Sequence, residues 1–175
     1  PHNTYRDPKE ALINAKKIIS KTKCDAVKLE GGQKIYKIVK NLIKYNIPVM
    51  GHLGLLPQSE KTFKFKGQKK SERDKILQDA KLLQDAGVFS IVLECIETSL
   101  AKLITKEIKI PTIGIGASNN CDGQILVLDD LIGLNNINVR FVKKYSNVRR
   151  EISKAVASYA YDVRKKKFPL KKHSY

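Results

Sequence analysis

Short apolar runs alternate along this chain with longer stretches in which apolar residues return every third or fourth position. Ala11, Leu12, Ala15, Ile18 and Ile19 keep helical spacing. Asp7-Pro8-Lys9-Glu10 reads as the start of that helix: Asp7 caps, Pro8 takes the first turn, and Glu10 completes a capping-box-like pair. Ala26–Leu29 follows as a short strand, Ile35, Ile38, Val39 and Leu42 mark a second helix, and Ile47–His52 a second strand entered through Pro48. A polar loop over roughly 53–70 contains Phe63, Phe65 and Gly67; loops of that length inside compact domains are usually functional or disordered. Ser71 then caps a helix carrying Ile76, Leu77, Ala80 and Leu83 that stops at Gly87. The pattern continues with a strand over Val88–Leu93, a helix over Ser99–Lys106, and strands over Pro111–Ile115 and Ile125–Leu128. Val148–Arg164 closes as an amphipathic helix with Ile152, Ala155, Val156, Tyr159 and Val163 on one face.

Apolar strands separated by helices of this length imply an α/β protein of parallel βα units, with helices covering the sheet. In such folds chemistry collects at the carboxyl ends of the strands. Those ends carry Lys28 and Glu30, His52, Glu94, Gly116-Ala117-Ser118 and Asp129. Alternation along a strand puts Lys28 and Glu30 on one face and Val27 and Leu29 on the other. Ionisable groups at the ends of buried strands cost free energy unless something pairs or uses them, so the pattern points to an active site assembled from several strand ends.

The 175 residues suffice for one domain with a real core, and we read 1–175 as a single domain with a basic tail over 165–175. No apolar run approaches the ~20 residues that span a bilayer, and the N-terminus lacks a signal-peptide pattern. The chain opens at Pro1 rather than Met, which points to a processed, cut or incomplete polypeptide. Cys24, Cys95 and Cys121 show neither zinc spacing nor a disulfide framework and read as reduced cytoplasmic thiols. The formal charge of +17 invites a nucleic-acid reading. Lysine rather than arginine supplies most of the 34 basic residues, however, and the lysines spread over nearly every helix, clustering only around Lys61–Lys75 and Lys143–Lys172. With abundant Ile and Asn this looks like an A/T-rich codon bias and a solvated lysine surface, whose field still favours an anionic ligand.

Several motifs together resemble the ketopantoate hydroxymethyltransferase family: Val27-Lys28-Leu29-Glu30-Gly31-Gly32, Gly51-His52-Leu53-Gly54-Leu55-Leu56-Pro57-Gln58-Ser59, Leu93-Glu94-Cys95, and Ile113-Gly114-Ile115-Gly116-Ala117 followed by Asp122-Gly123-Gln124-Ile125-Leu126-Val127. The closing His173-Ser174-Tyr175 is similar to the family's tail. The resemblance implies a (β/α)8 barrel in a cytoplasmic homo-oligomer, decameric in bacterial members. It implies transfer of a one-carbon unit from 5,10-methylenetetrahydrofolate to 3-methyl-2-oxobutanoate, giving 2-dehydropantoate, in pantothenate biosynthesis. It further implies a Mg2+ ion that chelates the 2-oxo acid. Carried over by position, Glu94 is the proton acceptor, Lys28 contacts the oxo acid, Glu30 is a metal carboxylate, and His52 lines the pocket. The plain alternatives are a salt-bridged strand-end carboxylate at Glu94, pairing of Glu30 with Lys28, and a hydrogen-bonded structural His52. Gly114 and Gly116 lack the third glycine of a phosphate cradle and read as a tight strand-to-loop turn.

The resemblance also implies departures. About five strands are counted, whereas a closed barrel of this type has eight and about 250 residues. Two metal-binding aspartates and a serine of the family fall before Pro1, so this chain alone is expected to be inactive. It reads as a fragment of an intact enzyme or as the product of a truncated gene. Ser118 replaces a usual glycine, Glu97 a common proline, and Lys66 and Gln68 flank Gly67 atypically. Two other readings compete: another Mg-dependent barrel acting on 2-oxo acids, and a basic nucleic-acid-binding module.

Overall fold

A computed structural model describes residues 3–60 and 64–175; Phe63 of the long loop lies outside the described residues. Helix α1 (Pro8–Thr22) begins where Asp7 accepts the N–H groups of Lys9 and Glu10. Glu10 does not close a capping box on Asp7. Its carboxylate instead accepts the Arg6 N–H at 3.0 Å and pairs with the Arg6 guanidinium, one residue further out. Then follow β1 (Val27–Glu30), a 3-10 turn (Gln33–Ile35) running into α2 (Tyr36–Lys44), β2 (Val49–Gly54), α3 (Lys70–Ala86), β3 (Ser90–Glu94), α4 (Thr98–Glu107) and β4 (Thr112–Ile115). β5 is the two-residue strand Gly123–Gln124, after which come α5 (Leu128–Leu131) and α6 (Val148–Arg164).

The five strands form one parallel sheet in the order β1-β2-β3-β4-β5. Each strand pairs with its successor and the order never reverses, so there is no switch point of the doubly wound kind; sequential order is the barrel arrangement. The result is an α/β fold of five parallel strands and, among the described residues, six α-helices, the arrangement of part of a (β/α)8 barrel.

The register shows how the sequence sorts the two faces. Leu29, Val49, Leu53, Ile91 and Leu93 share a core with Ala15, Val39, Leu42, Ala80, Leu83, Leu100 and Ile104 from α1 to α4. The opposite face carries Lys28 and Glu30, then Met50 and His52, then Val92 and Glu94, then Ile113 and Ile115. Alternation of side chains therefore separates the packed apolar half of each strand from the half that holds every ionisable strand-end group.

Two expectations are corrected. The N-cap of α3 is Lys69, not Ser71. The first turn is tied instead by Glu72, whose carboxylate accepts the Gly67 N–H at 2.7 Å. The strand expected over Ile125–Leu128 is displaced: pairing falls on Gly123–Gln124, and Leu128 opens α5 with Asp129 inside it, so Asp129 is not a strand-end group. Residues Pro1–Ile125 and Leu126–Tyr175 form two compact units. The second contains α5 and α6, and α6 buries none of its residues. Among the described residues no helix is long and apolar enough to cross a membrane.

Candidate active site at the strand ends

Parallel pairing places Glu30 beside His52, and Glu94 beside Gly54 two residues further along β2. Lys28, Glu30, His52 and Glu94 thus meet on one face, with His52 at the centre and 1% exposed. Lys28 Nζ lies 3.1 Å from His52 Nδ1. An ammonium only donates, so Nδ1 accepts, and a neutral ring then carries its hydrogen on Nε2. Glu94 Oε2 stands 3.1 Å from Nε2. The two are out of hydrogen-bonding alignment, and among the described residues Nε2 has no hydrogen-bond partner. Catalytic hydrogen bonds are often loose before substrate binds, and an unbonded buried ring nitrogen is a group waiting for one.

Glu30 Oε1 lies 3.7 Å from His52 Nδ1, while its Oε2 accepts the Gln58 N–H at 3.0 Å. Among the described residues no Lys28–Glu30 ion pair forms; the Lys28 charge meets the imidazole and remains exposed to an incoming anion. All four residues named from the sequence therefore come together through His52. Only Glu30 lines the adjoining cavity of about 510 Å3, which also takes in Tyr5, Gly32, Gln58, Ile76 and Asp79.

The shape around Glu94 depends on its neighbours. Gly54 turns at φ +98°, and a Cβ there would come within 2.1 Å of the Glu94 carbonyl oxygen. The next residue, Leu55, donates its N–H to that same oxygen at 2.9 Å. Cys95 then adopts φ +49°, unusual for a non-glycine residue. Burial, and next the charge of Glu94, push its thiol above the ordinary cysteine range, which works against a thiolate role. The long loop returns through Lys66, whose N–H donates to Cys95 O and whose carbonyl accepts from Glu97 N, each at 2.9 Å. The Lys66 ammonium pairs with Glu60 at 2.6 Å.

Tyr5 was not legible as a site residue. Its hydroxyl donates to Gln58 Oε1 at 3.2 Å, above the Glu30 carboxylate. Burial raises its phenol above the ordinary tyrosine value; the charge of Glu30 acts the same way, against a lowering backbone contact at Glu30. It precedes the first periodic segment, so spacing gave no signal. Asp79 left one: an acid three residues after Ile76 stands on the apolar stripe of α3. Ser118 needs no glycine-like backbone, because its hydroxyl accepts the Asn120 N–H at 3.1 Å and turns the chain itself.

The sequence model of ketopantoate hydroxymethyltransferase matches residues 1–171. The chain belongs to this family. Similar proteins are named 3-methyl-2-oxobutanoate hydroxymethyltransferase. That of Pelagibacter ubique HTCC1062 is 69% identical over 175 residues, all of this chain and 68% of that protein. That of Pyrobaculum neutrophilum is 51% identical over 169 residues, covering 95% of this chain and 64% of its own length. That of Clostridium botulinum Alaska E43 is 47% identical over 170 residues, 95% of this chain and 62% of that protein. The chain thus spans about two thirds of the length of the curated relatives it matches. Membership of the ketopantoate hydroxymethyltransferase family disfavours the reading as another kind of oxo-acid barrel.

Proposed function

We propose that this chain contributes the strand-end groups for hydroxymethyl transfer to 3-methyl-2-oxobutanoate, in pantothenate biosynthesis. The overall change takes 5,10-methylenetetrahydrofolate, water and the oxo acid to tetrahydrofolate and 2-dehydropantoate. The observation that carries this reading is the contact chain Lys28–His52–Glu94, with Glu30 at its side, on the face turned away from α1–α4.

Lys28 offsets the negative charge of the oxo acid. Glu94 takes a proton from C3. Water frees the one-carbon unit from the folate as formaldehyde, breaking its two C–N bonds and releasing tetrahydrofolate. The carbanion equivalent adds to that carbon while its oxygen takes up a proton. His52, hemmed in by Lys28 and Glu94, offers substrate little surface of its own and holds those two side chains in contact. Among the described residues no group of three His, Cys, Asp or Glu side chains gathers into a metal cage. Magnesium is commonly held by one or two carboxylates together with water and substrate oxygens, and the Glu30 carboxylate fits as one such ligand. When bound, the ion would supply charge stabilisation at the substrate's oxygen. The family resemblance supports a cytoplasmic homo-oligomer as the working form.

The test uses two proteins: the 175-residue chain, and a hybrid joining it to the part of the Pelagibacter ubique relative outside the match. We expect 2-dehydropantoate from the hybrid and none from the chain alone, whose five strands leave a barrel open. In the hybrid, Glu94→Gln should lower turnover by about 10²–10⁴-fold, the usual contribution of a general base. Lys28→Met should raise KM for the oxo acid. A hybrid without turnover, or one indifferent to Glu94→Gln, would refute the proposal.

A further inference from the structure

Helix α3 sends Ile76, Ala80 and Leu83 into the core, and Asp79 stands among them, 5% exposed. A carboxylate there is costly unless it is bonded. Its Oδ1 accepts the Gln33 N–H at 2.9 Å, and its Oδ2 takes Lys75 Nζ at 2.6 Å. Gln33 opens the 3-10 turn that leads into α2, and Gly32 before it has no side chain to cap that turn. The first N–H groups of a helical segment have no partner inside it, so an acceptor must come from elsewhere. Gly32 is what lets this one approach: a Cβ on it would stand 2.1 Å from Asp79 Cγ.

The same turn begins at Glu30. Gly31 N–H donates to His52 O at 3.0 Å, and Gln58 N–H to Glu30 Oε2 at 3.0 Å. Bonds from β2, from the loop after it and from α3 therefore pin the four residues Glu30–Gln33. Lys75 is a minor partner, since its side chain is 67% exposed.

We propose that Asp79 is a positioning residue for Glu30: acting from α3, it caps the turn after β1 and fixes the direction in which the Glu30 carboxylate leaves the strand. This deepens the function proposed above and rests on Glu30 belonging to that site. The test is NMR on the hybrid described above, labelled in its 175-residue part, reading Gln33 amide exchange, the Glu30 carboxyl carbon and the Gln58 amide. Asp79→Ala should speed Gln33 exchange about tenfold, the loss of one capping bond, and shift the Glu30 and Gln58 signals while leaving β4 unmoved. Asp79→Asn keeps an oxygen for Gln33 and should stay near wild type, as should Lys75→Met. Gly32→Ala should reproduce Asp79→Ala, and the double variant should cost less than the sum, because the colliding carboxylate is gone. Should Asp79→Ala not fold, Gly32→Ala against Asp79→Asn carries the comparison. Unchanged Gln33 exchange, an Asn variant as damaging as Ala, or shifts spread evenly through the sheet would overturn the proposal. None of these readouts needs turnover, so failure of the transfer reaction would leave them interpretable.

Discussion

Glu97 opens α4, and its carboxylate has a structural job there. Its carboxylate accepts the N–H groups of Ser99 and Leu100 at 3.0 Å, capping α4, and pairs with Arg73 at 2.5 Å. The Ser99 hydroxyl is the largest cause, and the cap and Arg73 add to it, of a carboxyl held down at about 2. A depressed carboxyl stabilises the fold above its unfolded value near 4.5 and loses that contribution as pH falls towards about 2. Glu97→Gln should therefore cost about 1 kcal/mol at pH 7, the worth of a cap at a partly exposed site. Urea midpoints of the two proteins should draw together below about pH 4.5 and converge only as the pH approaches about 2. Gly54 makes a second residue-scale case. Gly54→Ala should destabilise by about 1–3 kcal/mol through its positive φ, and further through the approach to the Glu94 carbonyl. Gly51→Ala should do less, since its Cβ would meet the flexible end of Leu83 at 3.0 Å. Lys28, Glu30, His52 and Glu94 were legible because strand alternation fixes which residues share a face. Their meeting through His52 was not, because register between strands is set by pairing and not by either strand's own pattern.

Elements divide in the same way. The start of α1 and both ends of α6 were legible, because caps and helical spacing are local properties. The fifth strand was not. Ile125–Leu128 has the composition of a strand, yet pairing settles on Gly123–Gln124, and Asp122 is the reason. Its Oδ2 accepts the Thr112 N–H at 2.8 Å and the Thr112 hydroxyl at 3.0 Å, fastening the chain at the start of β4. Gln124 adds a bond from Nε2 to Ser118 O at 2.7 Å. The family motif Asp122-Gly123-Gln124 is thus a splice between β4 and β5. Asp122→Ala should leave the fully buried Thr112 N–H without that acceptor and cost about 1–3 kcal/mol. Asp122→Asn, which keeps an acceptor oxygen, should cost less. Equal urea midpoints for the Ala variant and wild type would remove Asp122 from this role.

At the scale of the molecule the sheet stays open. Among the described residues β1 pairs only with β2, and β5 only with β4, whereas every strand of a closed barrel has two neighbours. On the face that carries the site, Met50, Ile113 and Ile115 are half-buried and Lys28 is exposed. In a closed barrel these positions point inward and fill layers of core. The sequence's motif order already indicated a barrel, and its length indicated too few strands, but neither says how an open sheet behaves. Unpaired strand edges and a partly covered apolar face favour self-association and dye binding. The 175-residue chain should therefore bind an apolar dye such as ANS and associate at micromolar concentration. The hybrid with the remaining part of the Pelagibacter ubique relative should bind less dye and melt several degrees higher. The comparison separates closure from chemistry, because Glu94→Gln in the hybrid should lower turnover about 10²–10⁴-fold without restoring dye binding. An isolated chain that is monomeric, binds no dye and melts with the hybrid would mean that five strands form a finished core here, and barrel closure would then not be what the strand ends require.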